Sequence, residues 1–151
     1  MIDVQIKILD KRLTEQFNLP EYQTPSSAGM DLRAMVEEDF VLNPGEVKMV
    51  NSGIAMYIKD PNVTALVVPR SGLGYKHGIV LSNLVGVIDA DYQGALMMPI
   101  WNHSDTPFTI HVGDRIAQIL FVPILHANFV VTDDFQSESS RGNNGFGSTG
   151  I

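Results

Sequence analysis

Apolar side chains along this chain recur every second residue, in short runs. Val4, Ile6 and Ile8 alternate with Gln5 and Lys7, and Ile54, Met56 and Ile58 alternate again until Asp60-Pro61-Asn62 breaks the run. A two-residue period gives a strand one apolar face, whereas an amphipathic helix needs a period of 3.6. Runs rich in branched residues follow at 65–68, 79–81, 84–88, 96–100 and 116–122, separated by turn signals such as Asn43-Pro44-Gly45, Gln93-Gly94 and Val112-Gly113-Asp114. The 13 Gly and 8 Pro in 151 residues keep every run short. Such a chain is expected to fold as an all-β barrel or double-sheet jelly roll. Ser71–His77 can form a helical turn or two, made marginal by Gly72 and Gly74.

Size and composition narrow the function. A chain of 151 residues with 44% hydrophobic residues makes one domain with an ample core. Trp101 and most of the methionines are expected to fill that core. Seventeen acids against ten bases leave a net charge of −7, so a nucleic-acid backbone would repel the chain. No nucleic-acid partner is expected. The absence of cysteine excludes disulfide scaffolds, thiolate zinc sites, iron–sulfur clusters and a cysteine nucleophile. Met1-Ile2-Asp3-Val4-Gln5 has no basic stretch leading into an apolar one, and the longest near-apolar run, 119–125, is too short to span a bilayer. A soluble, cytoplasmic protein without a membrane partner is expected. From Thr132 onward the chain turns polar and glycine-rich, so residues 1–131 are taken as the β domain and 132–151 as a mobile arm.

The positive charge is concentrated in turns. Of the five arginines, Arg33, Arg70, Arg115 and Arg141 stand in or beside glycine-containing stretches. Glycine lets backbone N–H groups approach an anion, and a guanidinium fork matches phosphate oxygens. Surface ion pairs are the competing explanation. No Walker lysine closes a glycine run, and Gly72-Leu73-Gly74 lacks the third glycine of a dinucleotide fingerprint. A phosphate site here has to be built from several loops.

Gly86-Val87-Ile88-Asp89-Ala90-Asp91-Tyr92-Gln93-Gly94 is the richest segment for chemistry. An acid that closes an apolar strand can be rigid and partly desolvated, as a general base requires; an ordinary hairpin turn is the rival reading. It is not a calcium loop, because Ile100 stands where the twelfth-position glutamate belongs. His77, His103, His111 and His126 show no metal-ligand spacing, and Ser71 is not in a nucleophile elbow. Asp31 suits either a hydrated Mg²⁺ or an ion pair with Arg33.

Five segments in order carry a resemblance over essentially the whole chain. They are Ala28-Gly29-Met30-Asp31-Leu32-Arg33-Ala34, Pro69-Arg70-Ser71-Gly72-Leu73-Gly74, the 86–94 segment, Gly113-Asp114-Arg115-Ile116-Ala117-Gln118, and Arg141-Gly142-Asn143-Asn144-Gly145-Phe146-Gly147-Ser148. Together they resemble the homotrimeric deoxyuridine triphosphate nucleotidohydrolases (dUTPases), in a bacterial style.

That resemblance implies a jelly-roll (β-clip barrel) subunit, a threefold homotrimer with sites between subunits, and Mg²⁺-assisted conversion of dUTP and water to dUMP and pyrophosphate. It implies Asp89 as the base acting on the attacking water. Arg70, Ser71 and Gly72 would hold the phosphate chain, with Gln118 beside the α-phosphate. Asn83 and the backbone of Val87, Ile88 and Met97 would line the uracil and sugar pocket, and Tyr92 would pack under the sugar. Arg141 would meet the γ-phosphate, Phe146 would cover the uracil, and Ser148 belongs to the same closing segment. Asp31 would touch the metal through bound water. A dCTP deaminase of the same architecture, a non-catalytic dUTP-binding trimer and a general nucleoside triphosphate pyrophosphatase are the alternatives.

Overall fold

Strand β8 (Ala95–Asn102) shows how one sequence serves two faces. Leu96, Met98, Ile100 and Asn102 are buried, while Met97, Pro99 and Trp101 point the other way. Both sets are largely apolar, yet the described residues bury only one.

The computed structural model describes residues 1–137, 139–140 and 142–143. The remaining elements are β1 (Gln5–Ile8), α1 (Arg12–Glu15), β2 (Met30–Arg33), β3 (Phe40–Leu42), β4 (Val47–Tyr57), β5 (Val63–Pro69), α2 (Ser71–His77), β6 (Ile79–Leu81), β7 (Gly86–Ile88), β9 (Phe108–Ile110) and β10 (Arg115–Pro123). Two four-stranded sheets, ordered β1-β4-β8-β6 and β2-β10-β5-β7, and the small β3-β9 pair make the jelly roll expected from the period-two pattern. All pairings are antiparallel. The core lies between the sheets, with Leu32, Val50, Ile54, Val67, Leu81, Met98, Ile100, Ile116 and Ile119 at 3% exposure or less. Among the described residues no helix is long and apolar enough to cross a membrane.

Asn102 is a fully buried polar hub. Its Nδ2 donates to the carbonyls of Leu42 and Thr106, at 2.9 and 2.8 Å, and its Oδ1 accepts from the Ser104 amide and hydroxyl. This satisfies the amide and ties β8 to β3.

Several expectations need correction. Leu84 is not part of a strand: it sits in a turn with φ 64°, and β7 starts at Gly86. Trp101 is half-buried on the outer face of β8, edge-on to His103 at 4.9 Å. Met35, Met56 and Met98 fill the core and Met30 packs against it, but Met1, Met49 and Met97 are exposed.

Candidate active site

Three stretches remote in sequence line one polar cavity of about 350 Å³: Asp31 on β2, the start of α2 with Arg70, Ser71 and Gly72, and Gln118 on β10. Local chemistry sets each in place. Pro69 ends β5, because it has no N–H to extend the ladder. Arg70 is extended at φ −85°, ψ 131°, and its carbonyl accepts from Gly74 N as α2 begins. Gly78, at φ 65°, closes the helix in a left-handed cap. Gln118 Nε2 donates to the Pro69 carbonyl at 3.0 Å, fixing β10 against the strand–helix corner. Gly29 leaves room for that side chain, since a Cβ there would stand 2.9 Å from Gln118 Oε1.

Asp31 is gripped by two cations. Its Oδ1 accepts from Arg70 Nε at 2.7 Å, and its Oδ2 lies 3.3 Å from Arg115 Nη1. Arg70 Nη1 also donates to the Arg115 carbonyl at 2.9 Å. The pair with Arg33 contemplated from sequence does not form. Arg33 instead donates to the Gly113 carbonyl at 2.8 Å and lies 5.4 Å from the Phe17 ring centre.

The turn before Arg115 is pinned by Asp39, which accepts from Val112 N at 2.8 Å and lies 2.6 Å from His111 Nδ1. The hydrogen-bonded carboxylate raises the His111 pKa, and the imidazole lowers that of Asp39.

Asp89 lines a second cavity, of about 360 Å³, with Val87, Asp91, Lys59, Thr64 and His126. The expected partial desolvation of Asp89 is not found within one chain, where the residue is exposed. The cause is topological: β7 is the edge strand of its sheet, and among the described residues no further strand pairs beyond it. The turn itself is well held. Thr64 Oγ1 donates to Ile88 O at 2.7 Å, Lys59 N to Ala90 O at 2.9 Å, and Tyr92 N to Asp89 O at 3.1 Å. Tyr92 directs its hydroxyl to Ala95 O at 2.9 Å and lays its ring against Gly94, where a Cβ would collide with the phenol.

Asn83 is exposed in the turn before β7, its Nδ2 near Gly86. Val87 is exposed, Ile88 half-buried, and Met97 stands on the outer face of β8. Arg141, Phe146 and Ser148 lie outside the described residues.

The two cavities stand at opposite ends of β5. Val67 pairs with Gly86 and Ala65 with Ile88, so Asp89 follows the strand end beside Thr64. Arg70 is six residues further along the chain, or about 20 Å at the rise of an extended strand. Asp89 and Arg70 of one chain therefore cannot act on the same phosphate. Sequence reasoning offered Arg115 only as one of the turn arginines suited to phosphate, and gave no site role to Lys76 and His77 beside the first cavity or to Lys59 and His126 beside the second. The signal for Arg115 was present, since it lies in the same segment as Gln118, but its partner depends on strand register.

A β jelly roll with arginine, serine and glutamine around a polar cavity, and a carboxylate at a bare strand edge, belongs to the class of all-β proteins that take a phosphate-bearing ligand between loops. The family model described as dUTPase matches residues 15–150. The chain is 56% identical over 147 residues to the deoxyuridine 5'-triphosphate nucleotidohydrolase of Shewanella denitrificans, covering 97% of this chain and 96% of that one. It is 55% identical over 150 residues to the protein of the same name from Histophilus somni, covering 99% of each. The structure of the Staphylococcus bacteriophage 80alpha dUTPase with dUPNHPP superposes with a TM-score of 0.86 at 29% identity, covering 99% of each chain. This chain belongs to the dUTPase family.

Proposed function

We propose that this protein hydrolyses dUTP to dUMP and pyrophosphate in a site built from more than one copy of the chain. The observation that carries the reading is the meeting of Arg70, Ser71, Gly72 and Gln118, from segments distant in sequence, around one polar cavity. It is a cradle of donors suited to a phosphate chain. The curated relatives named above act on deoxyuridine triphosphate, and the phage structure contains its analogue dUPNHPP.

In this mechanism Arg70, Ser71 and Gly72 bind the phosphates and Gln118 orients the α-phosphate. Asp89 of a neighbouring copy accepts a proton from the water that attacks the α-phosphorus, and pyrophosphate leaves. Asn83 and the backbone of Val87, Ile88 and Met97 read the uracil and sugar. A cytosine amino group would oppose donors there and leave buried groups unpaired. Tyr92 fills the space of a ribose 2′-hydroxyl. Residues 132–151 form the closing arm, in which Arg141 meets the γ-phosphate, Phe146 covers the base and Ser148 adds a polar contact.

Mg²⁺ is the cofactor of this reading, and it supplies charge neutralisation on the phosphates. Among the described residues no cluster of three or more His, Asp or Glu side chains could hold a metal. Asp31 would contact the metal only through bound water, since each of its oxygens already faces an arginine.

A threefold homotrimer accounts for the distance between Asp89 and Arg70 and for the bare outer sheet face. On that face Val47 is paired with Trp101, Met49 with Pro99, and Asn51 with Met97. Val47, Met49 and Met97 are 50%, 58% and 41% exposed, and Phe129, Val130 and Val131 add to the uncovered apolar surface. The cytoplasm, where deoxynucleotides are free, is the proposed location.

The test is a panel of dUTP, dCTP, dTTP and UTP with detection of pyrophosphate and ammonia. Pyrophosphate from dUTP, with little from the other three, supports the reading. Ammonia from dCTP, comparable rates on all four, or binding without turnover would overturn it.

A further inference from the structure

We propose that Asp31 and Arg115 are positioning residues that hold the Arg70 guanidinium end-on toward the phosphates, an inference that rests on Arg70 being a phosphate ligand. A guanidinium has five N–H donors in one plane. In Arg70 the Nε–H is taken by Asp31 Oδ1, and one Nη1–H by the Arg115 carbonyl. The edge formed by Nη2 and the remaining Nη1–H is left for a ligand. Two anchors on separate strands fix both the plane and the direction of the fork, which bidentate recognition of a phosphate requires.

The frame is itself rigid. Asp31 pairs with Gln118 across β2 and β10, whereas the register jumps from Arg115 opposite Arg33 to Ala117 opposite Leu32. Ile116 is the extra residue of a β-bulge, a device that re-aims the neighbouring side chain. Upstream, Gly113 N donates to Ala34 O at 2.8 Å and Ala34 N to Asp114 O at 2.7 Å, closing the turn that delivers Arg115. The Asp31 carboxylate is 19% exposed against 31% for Arg70 and 44% for Arg115, so the anion is the sheltered centre of the cluster. Its first role is to orient arginine, and this role needs no metal.

The experiment measures binding of a non-hydrolysable dUTP analogue and of dUMP by calorimetry, using full-length protein with Mg²⁺ and separately with a chelator. The variants are Arg70→Ala, Arg115→Ala, Arg115→Lys, Asp31→Asn and the double variants on Arg70→Ala. With chelator present, Asp31→Asn, which removes the Nε anchor, is expected to weaken analogue binding by about tenfold, and Arg115→Ala, which keeps the carbonyl anchor and removes only the cation beside Asp31, by about threefold; both leave dUMP binding unchanged. On the Arg70→Ala background, again with chelator, both effects should shrink to less than about twofold, the mark of residues acting through Arg70. Arg115→Lys, which keeps a cation beside Asp31, should recover most of the loss. Losses that persist at full size without Arg70, that need Mg²⁺, or that extend to dUMP would overturn the inference. If Arg70→Ala alone binds the analogue normally, the phosphate-ligand reading falls as well.

Discussion

Thr64, a residue only 5% exposed, donates a 2.7 Å hydrogen bond from Oγ1 to the carbonyl of Ile88, the residue before Asp89. The catalytic candidate thus stands on a strand end tied to β5 by more than the backbone ladder. Thr64→Val keeps the shape and removes the donor. It should cost about 1 kcal/mol and lower Tm by about 2–4 °C. It should also reduce kcat several-fold at unchanged KM. A lowered Tm with unaltered kcat would make the tether purely structural.

Asp89→Asn preserves size while removing the proton acceptor. Turnover should fall by about 10²- to 10⁴-fold, with analogue affinity nearly intact. Initial rates and calorimetry on one preparation check both halves of this prediction. A variant that turns over normally would remove Asp89 from the chemistry.

The contact between Tyr92 and Gly94 predicts how sugar selection is built. Gly94→Ala puts a Cβ into the phenol and displaces the ring. The ratio of kcat/KM for dUTP to that for UTP should drop by about tenfold or more, mostly through improved use of UTP. Tyr92→Ala should move the ratio in the same direction. An unchanged ratio in both variants would place the sugar elsewhere.

His111 Nδ1 and Asp39 Oδ2 form an exposed pair 2.6 Å apart. Asp39 raises the His111 pKa above the usual 6.5, so the contribution is fully present below that value and fades as pH rises through the raised pKa. Asp39 has its own pKa lowered from 3.8, mainly by His111, so it is ionised throughout the comparison below. The difference in Tm between the parent and Asp39→Asn should therefore be larger near about pH 5.5 than near about pH 8.5. An equal difference at both values would show that the imidazole charge adds nothing.

Much of this architecture was legible because strand burial writes a two-residue period into the chain. The run 79–81 is β6, the run 116–122 lies within β10, and Ser71–His77 forms the helix α2. β3 and β9, with Val41 and Thr109 exposed at their centres, and the four-residue α1 stayed hidden, and length alone is not the cause, since the legible β6 also has three residues. Leu84 looked like strand because it is apolar, but its φ of 64° is set by the turn before β7. At the site, residue types were readable while partners were not. Asp31 stands two residues from Arg33, yet it pairs with Arg70 and Arg115 through the register of β2 against β10. The exposure of Asp89 was equally unreadable, because it follows from β7 being an edge strand.

The central claim is that Asp89 and Arg70 of different copies serve one phosphate chain. Asp89→Asn and Arg70→Ala chains, each inactive alone, can be co-expressed with different tags, and mixed assemblies purified for dUTP-dependent pyrophosphate release. If the site is shared between two copies and chains mix freely at equal amounts, about a quarter of the sites are intact and activity should return to about that fraction. If each chain carries its own complete site, every site in the mixture lacks one residue. Activity would then stay at the level of the inactive parents, contradicting the account.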